Sequence, residues 1–215
     1  MINYIFINPL LFFSYLIALL VAITIHEFSH AFVADQLGDP TARLAGRLKL
    51  NPFVHLDTLG LFFLLFFGFG WGKPVPYDHF NLKNHHRDAA LISLAGPASN
   101  FILAFFLSLI LRLSYLFPQS TLSTFSNFFL TPIINLNLIL GIFNLLPIHP
   151  LDGFKIVAGI LPEDKAREWY ALERWGIIFL FLLIFPLGGS SLAEFIINPL
   201  FNFFKSLLIP SSGVI

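Results

Sequence analysis

The feature that most constrains the fold is an apolar run over residues 9–34. About 20 apolar residues in a helix cross the roughly 30 Å of bilayer hydrocarbon, and this run is longer than that. Gly38 and Pro40 follow it and mark a helix end. We therefore expect a first transmembrane helix here. Residues 1–8 lack a basic region and the run is too long for a cleavable signal, so the helix is expected to remain in the mature protein.

Composition extends this conclusion to the whole chain. Of 215 residues, 57% are hydrophobic and 11% are charged, whereas soluble domains are about half apolar and about a quarter charged. The chain is therefore expected to be a polytopic membrane protein. Lys+Arg and Asp+Glu both number 12, which gives no basic excess for binding nucleic acid. Cysteine is absent, which excludes disulfides, thiol catalysis and a Cys-ligated zinc.

The first apolar run contains the motif His26-Glu27-Phe28-Ser29-His30. On a helix, His26 and His30 lie one turn apart on the same face, where two imidazoles can hold one zinc ion with Glu27 beside it. A zinc site that keeps a position open for water then needs a third protein ligand. Charged side chains within an apolar span cost roughly 2.5–3.5 kcal/mol each unless they have a partner. Metal binding is thus favoured over a satisfied polar cluster or a degenerate site.

Further apolar segments divide the rest of the chain. Residues 89–116 and 128–146 are long enough to form spans two and three, and residues 175–187 form a fourth apolar run. Residues 191–208 mix polar residues with Phe and Leu, which favours an interfacial helix. The fold class predicted is an all-α polytopic membrane protein with about four transmembrane helices.

Residues 59–76 do not fit the pattern of a span. The apolar part, residues 59–69, is too short to cross, and glycines at 68, 70 and 72 precede Pro74-Val75-Pro76, which indicates extended chain or a hairpin. Non-helical backbone at membrane depth must be satisfied by protein or by a wet cavity. We expect a re-entrant or β-hairpin segment that enters from the cytoplasmic side and forms a gate beside the metal.

The basic residues predict the orientation. They are concentrated between spans one and two and between spans three and four, whereas Arg112 alone borders the loop between spans two and three. By the positive-inside rule, residues 35–88 and 150–174 are cytoplasmic and the N-terminus is outside. This topology brings the His26 motif, the Gly96–Asn100 stretch and Asp152 to one depth.

Asp152 is the expected third ligand. A carboxylate binds zinc at about 2.0–2.2 Å, and two histidines with one carboxylate leave a fourth position for water. The alternative for Asp152 is a cap or turn aspartate before Gly153. His149 is a second candidate near the metal, although a polar residue packing at a helix end explains it more simply.

These motifs resemble those of the site-2 proteases, the intramembrane zinc metalloproteases of peptidase family M50. The matching stretches are His26-Glu27-x-x-His30, Gly96-Pro97-x-x-Asn100 and residues 144–153, in which Asn144, Pro147, Leu151, Asp152 and Gly153 stand. Residues 46–52 and 71–76 are similar to the family's compact bacterial members. The resemblance covers residues 10–187 and implies a single intramembrane metalloprotease domain over residues 1–215, with no room for a PDZ insertion or a C-terminal regulatory domain.

The resemblance implies one zinc ion held by His26, His30 and Asp152, with Glu27 as the catalytic base. Asn100 and Asn144 could donate hydrogen bonds to substrate or to the developing oxyanion, and packing is the alternative role for both. The expected function is cleavage of transmembrane segments of single-span membrane proteins near the cytoplasmic face of a bacterial cytoplasmic membrane. A membrane metal-binding or transport protein, and an inactive scaffold that binds client helices, are the alternatives.

Overall fold

A computed structural model of the chain describes residues 4–67, 70–117, 120–186 and 191–209. Within these ranges the chain is helical and forms no β-strand, which confirms the all-α prediction. The helices are α1 (Tyr4–Ile7), α2 (Pro9–Gln36), α3 (Thr41–Leu44), α4 (Pro52–His55), α5 (Thr58–Phe67), α6 (His85–Ser114), α7 (Thr121–Asn144), α8 (Asp152–Ile160), α9 (Glu163–Tyr170), α10 (Gly176–Ile184) and α11 (Leu192–Leu208), with 3₁₀ turns at His79–Asn81 and Glu173–Trp175.

Among the described residues, three helices are long and apolar enough to cross a membrane, namely α2, α6 and α7. Side-chain caps set where two of them begin. The Asn84 side chain accepts from the Arg87 amide, and the Ser120 side chain accepts from the Ser123 amide, which satisfies otherwise unpaired donors of the first turn. As a result α6 starts at residue 85 instead of 89, and α7 at residue 121 instead of 128.

The predicted fourth span, residues 175–187, contains only the short helix α10 in its described part. α10 has 9 residues, which at about 1.5 Å per residue covers less than half of the hydrocarbon thickness. It ends before Pro186, and Phe185 is extended, because the residue before a proline is disfavoured in the helical conformation. Leu187 lies outside the described residues.

The predicted interfacial helix, residues 191–208, forms α11, which packs against α6 and α7; its interfacial position stays a prediction. α6 and α7 are joined by a short connection and therefore run antiparallel, so their C-terminal ends lie at opposite ends of the pair. Ala193 in the first turn of α11 packs with Leu146 just beyond α7. Near the other end, Arg112 of α6 donates to the Leu207 carbonyl. α11 thus extends along most of the length of the α6–α7 pair.

Residues 59–76 form a helix followed by extended chain, so the hairpin alternative does not form in their described part. The extended chain contacts the segment after α4 at one antiparallel bridge, Leu56 with Gly72, and the Lys73 amide donates to the His55 carbonyl at 2.8 Å. A Leu/Phe-rich run that forms a helix makes its backbone hydrogen bonds within the segment, whereas a single short strand leaves its backbone N–H and C=O groups without partners. Gly68 and Phe69 lie outside the described residues, and the re-entrant arrangement stays a prediction.

A buried aspartate holds the connection between α2 and α6 in place. The Asp39 carboxylate accepts hydrogen bonds from the Thr41 amide and hydroxyl, the Asp78 amide and the Asn81 side chain. Burial opposes ionisation of Asp39, but these hydrogen bonds outweigh it and lower its pKa below the ordinary value. The ionised carboxylate therefore ties residue 39 to residues 78–81 across the connection.

Candidate metal centre

His26, His30 and Asp152 come together where α2 meets the start of α8. The Asp152 Oδ2 atom lies 3.1 Å from His26 Nε2 and 3.3 Å from His30 Nε2. One candidate ligand atom from each residue lies within 4.8 Å of the other two. The two imidazoles are 5% and 8% exposed. The structure thus brings together the three residues that the sequence predicted as ligands.

Each imidazole makes a hydrogen bond through the ring nitrogen that points away from Asp152, and this bond determines which ring nitrogen carries the hydrogen. His30 Nδ1 lies 2.6 Å from the Ile92 carbonyl oxygen, which can only accept, so His30 Nδ1 carries a hydrogen. His26 Nδ1 lies 2.7 Å from Asn100 Oδ1. In neutral imidazoles both Nε2 atoms therefore present a lone pair toward Asp152, as metal-binding histidines require.

A second asparagine fixes the orientation of Asn100. Asn100 Nδ2 donates to the Ala22 carbonyl at 3.1 Å and to Asn137 Oδ1 at 2.7 Å, and Asn137 Nδ2 donates to the Ile133 carbonyl at 2.8 Å. Backbone carbonyls only accept, so Oδ1 of Asn100 must face His26. Both asparagines are fully buried. Asn100 therefore orients His26, and its amide hydrogens are already donated instead of being free for a substrate.

The donor set fits a zinc ion. Asp152 Oδ2 is buried and receives no hydrogen bond from the part of the chain that the structure describes, although two imidazole nitrogens lie within 3.3 Å of it. Two nitrogen lone pairs and a carboxylate oxygen at these distances repel one another unless a cation lies among them. Two histidines and one carboxylate are also a ligand set that catalytic zinc takes in proteins.

Gly96 allows α6 to approach the two imidazoles. A Cβ atom at this position would lie 2.4 Å from His30 Nε2 and 2.7 Å from His26 Cε1, closer than real side-chain contacts. Any other residue would therefore push the ligand nitrogen of His30 away from Asp152. The glycine of the Gly96–Asn100 stretch is explained by this contact.

We expect Gly96→Ala to lose most of its zinc, because the added methyl group occupies the space of the His30 ring. Zinc content per chain of the purified protein measures this. Gly141→Ala is a matched control on α7, since the three atoms nearest to its Cβ would belong to the Phe101 ring, at 3.0 Å or more, and not to a metal ligand. A full zinc complement in Gly96→Ala would show that the approach of α6 is not tight.

Glu27 faces the extended segment that follows α5. Its Oε1 atom lies 3.1 Å from where a Cβ of Gly72 would stand. Arg47 holds this segment, since its Nη2 donates to the Lys73 carbonyl at 2.7 Å and to the Pro74 carbonyl at 2.6 Å. Arg47 is itself 5% exposed. The segment expected to gate the site thus lies directly beside Glu27.

Asn144 and His149 point to other partners. Asn144 Nδ2 donates to the Leu140 carbonyl at 3.0 Å, one turn back in α7. His149 Nδ1 lies 3.6 Å from Glu173, and its ring packs against Phe154. His149 does not belong to the group of ligand atoms found in the described ranges, and its contacts fit the packing role that is the simpler interpretation of the sequence.

His55 lies in the polar connection between α2 and α6, where a solvated side chain would be the simplest interpretation of the sequence, but it is buried. His55 is 0% exposed and its Nε2 donates to the Lys49 carbonyl at 2.8 Å. The sequence candidates also omitted Asn137, Arg47 and Gly72. In the sequence, Asn137 stands out only as a polar residue within an apolar span. Arg47 is one of several basic residues in its loop, and Gly72 is one of several glycines. None of these patterns indicates which residue each of the three contacts.

We expect Asn137→Leu to weaken zinc binding by about tenfold, the lower end of the effect of groups that orient metal ligands, because Asn100 loses the partner that fixes its amide. Competition with a chelator in detergent measures the affinity. Asn135→Leu is the control, since the Asn135 side-chain oxygen, on the same helix, has no hydrogen-bond partner among the described residues. Equal affinities for the two variants would contradict an orienting role for Asn137.

Membrane-crossing helices that enclose two histidines, a carboxylate and a neighbouring glutamate define a membrane-embedded metalloenzyme of the His-Glu-x-x-His class. The chain belongs to peptidase family M50, whose sequence profile matches residues 14–131 and 118–184. This confirms the family resemblance found in the motifs.

Relatives of the chain carry names of the same kind. It is 42% identical over 186 residues to "Putative zinc metalloprotease YwhC" of Bacillus subtilis, covering 84% of this chain and 85% of that one. It is 32% identical to "Putative zinc metalloprotease Rip2" of Mycolicibacterium smegmatis, covering 78% and 65%, and 31% identical to the protein of that name in Mycobacterium tuberculosis, covering 76% and 63%. The chain thus spans just under two thirds of the length of the Rip2 proteins. No solved structure matches the chain.

Family and relatives make the chain a zinc metalloprotease, and its apolar helices make it an integral membrane protein. The zinc predicted from the motif is therefore confirmed as the cofactor.

Proposed function

We propose that the protein is an intramembrane endopeptidase that cleaves transmembrane segments of single-span membrane proteins, with His26, His30 and Asp152 as the zinc ligands. The observation that carries this is the depth of the site. His26 and His30 lie about 15 Å and 9 Å inside the end of α2 at Gln36, at about 1.5 Å per residue. A site this far inside a helix that is long and apolar enough to cross a membrane supports cleavage of a peptide bond within the membrane.

The chain's own residues divide the remaining work. A bound zinc ion supplies a water of lowered pKa and polarises the carbonyl under attack. Glu27, next to His26 in sequence, takes the proton of the attacking water and returns it to the leaving amine. Asn100 and the Ile92 carbonyl hold the two imidazoles in the tautomer that binds metal.

Substrate must lose its helical structure at the cleavage point, because the amides of a helix are already bonded along the segment. The extended chain at Gly72 supports binding of such an unwound stretch by strand addition. Gly72 has no side chain to separate a neighbouring backbone from Glu27, and Arg47 keeps residues 73–74 in place from the other side. The basic residues of the adjoining connection support a site that opens toward the cytoplasm.

Cleavage of a reporter in proteoliposomes tests the proposal. We expect a single-span reporter with Asn-Pro in the inner half of its span to be cut, and a matched reporter with Ala-Leu to be cut much more slowly, since only the first unwinds readily. Chelation by 1,10-phenanthroline should abolish cleavage and added zinc should restore it.

Two outcomes would support the other functions instead. Zinc entering the vesicles without any cleavage would favour transport. Reporter that binds the zinc-loaded protein but stays intact would favour a client-binding scaffold.

A further inference from the structure

A group of basic side chains lies at the start of α6, apart from the metal centre. We call His79, His85, His86 and Lys155 the basic cluster. Lys155 Nζ lies 4.7 Å from the centre of the Tyr77 ring, and that ring lies 4.9 Å from the ring of His79. The cluster thus joins the connection before α6 to α8, the helix that begins with Asp152.

The other two histidines extend the cluster along the first turn of α6. The His86 ring lies 5.8 Å from the ring of Tyr170 at the end of α9, and the His85 ring lies 6.4 Å from that of Phe80. His79 and His85 are exposed and His86 is half-buried. Aromatic rings therefore border a surface that remains open to the outside of the bundle.

The positive charge of the cluster is not neutralised within the described ranges. None of its four side chains forms an ion pair there. Partial burial, and the positive charges of Lys155, His85 and His86, lower the pKa of His79, and only Asp78 acts in the opposite direction.

The carboxylates closest in sequence are engaged elsewhere. Asp78 accepts from the Phe80 amide at 2.9 Å, and Asp88 accepts from the Asn84 amide at 2.9 Å. Glu173, near Tyr170, faces His149. These contacts keep the acids on local backbone or on another histidine, so the basic side chains stay available to an anion from outside the chain.

We expect the cluster to lie at the depth of lipid headgroups. α6 begins at His85 and is long and apolar enough to cross a membrane, and the polar residues of its first turn place that turn at the boundary between hydrocarbon and water. Tyrosine side chains are enriched at this boundary, and basic pockets between membrane helices bind anionic lipid headgroups. The partner that fits both the charge and the depth is a phospholipid phosphate.

We propose that the basic cluster binds the phosphate of an anionic phospholipid headgroup in the leaflet at the start of α6. Lys155 supplies positive charge, and each imidazole supplies at least one N–H donor even when neutral. The Tyr77 hydroxyl is buried and is therefore not among the donors that can reach the phosphate. Because Lys155 and Asp152 lie on the same turn of α8, a bound headgroup also stabilises the position of the helix that carries Asp152.

Native mass spectrometry of the full-length protein in detergent, titrated with phosphatidylglycerol or phosphatidylcholine, tests this inference. We expect phosphatidylglycerol to bind at least fivefold more tightly and Lys155→Gln to weaken its binding about fivefold, the effect of one lysine near an anionic surface. Lys155→Arg should keep the affinity. Lys165→Gln is the matched control, since Lys165 already pairs with Glu168 at 3.1 Å on α9.

Equal binding of the two lipids, or equal losses in Lys155→Gln and Lys165→Gln, would overturn the proposal. Inorganic phosphate that displaces phosphatidylglycerol at equal concentration would assign the site to a soluble anion and overturn the lipid assignment. Thermal melting in phosphatidylcholine checks that Lys155→Gln is folded. His85→Ala, which removes an exposed ring of the cluster, should also weaken phosphatidylglycerol binding if Lys155→Gln cannot be purified, and unchanged binding would then refute the site.

Discussion

Glu27→Gln is expected to keep its zinc and to lose at least about 100-fold in the rate of cleavage, the lower range for removal of a general base. The amide has the shape of the carboxylate, so it still fits beside Gly72, but it cannot accept the proton of the attacking water. The ligand group does not include Glu27, so zinc binding should not depend on it. Zinc content and initial rates on the same preparation measure the two effects separately.

Glu168→Gln provides the matched control, because Glu168 is exposed on α9 and pairs only with Lys165. It should leave both zinc content and rate unchanged. Unchanged cleavage in Glu27→Gln would refute Glu27 as the base and would favour a metal-binding or transport role. Loss of zinc together with activity would instead show that Glu27 maintains the ligand geometry.

Asp152→Ala is expected to reduce zinc affinity by more than about 100-fold, beyond the loss of a group that only orients a ligand, and to abolish cleavage. Two imidazoles would remain, and they do not complete a catalytic zinc site. Asp152→Asn should give an intermediate affinity, because its amide oxygen is a neutral ligand. Metal content after dialysis against a graded chelator measures the affinities.

Asp164→Ala is the control for this variant, since Asp164 is an exposed carboxylate in the first turn of α9. Thermal melting of each variant shows whether the protein remains folded. A full zinc complement in Asp152→Ala would place the third ligand elsewhere, and His149, three residues earlier, would be the next to replace.

Patterns within short stretches of the sequence predict much of the fold and of the candidate site. The length of an apolar run fixed the first span, expected at residues 9–34 and found at Pro9–Gln36, because a helix must cover the hydrocarbon from one segment of chain. The spacing of His26 and His30 fixed their common face for the same local reason. The positions of Gly96–Asn100 and Asp152 near span ends were enough to predict that they meet the motif at one depth.

Local patterns failed where a neighbouring element or a cap decides the structure. Ser120 and Asn84 start α7 and α6 earlier than the apolar pattern does, because side-chain oxygens satisfy the first-turn amides. Residues 58–67 form a helix even though glycines and prolines follow them. α10 is short because Pro186 follows the extended Phe185. Phe201, Phe204 and Leu208 of α11 pack against α6 and α7, and the composition of residues 191–208 does not predict these contacts.

The sequence by itself determined the membrane class, the zinc chemistry and the three candidate ligands, since these depend on residue type and on spacing along one helix or span. Only the tertiary structure decided that Asn100 lies behind His26, that Asn137 fixes Asn100, and that Gly96 makes room for the imidazoles. Each of these contacts joins residues that are far apart in the chain. Their partners are set by which helix faces pack together, and hydrogen-bond direction and close contact exist only after that packing has formed.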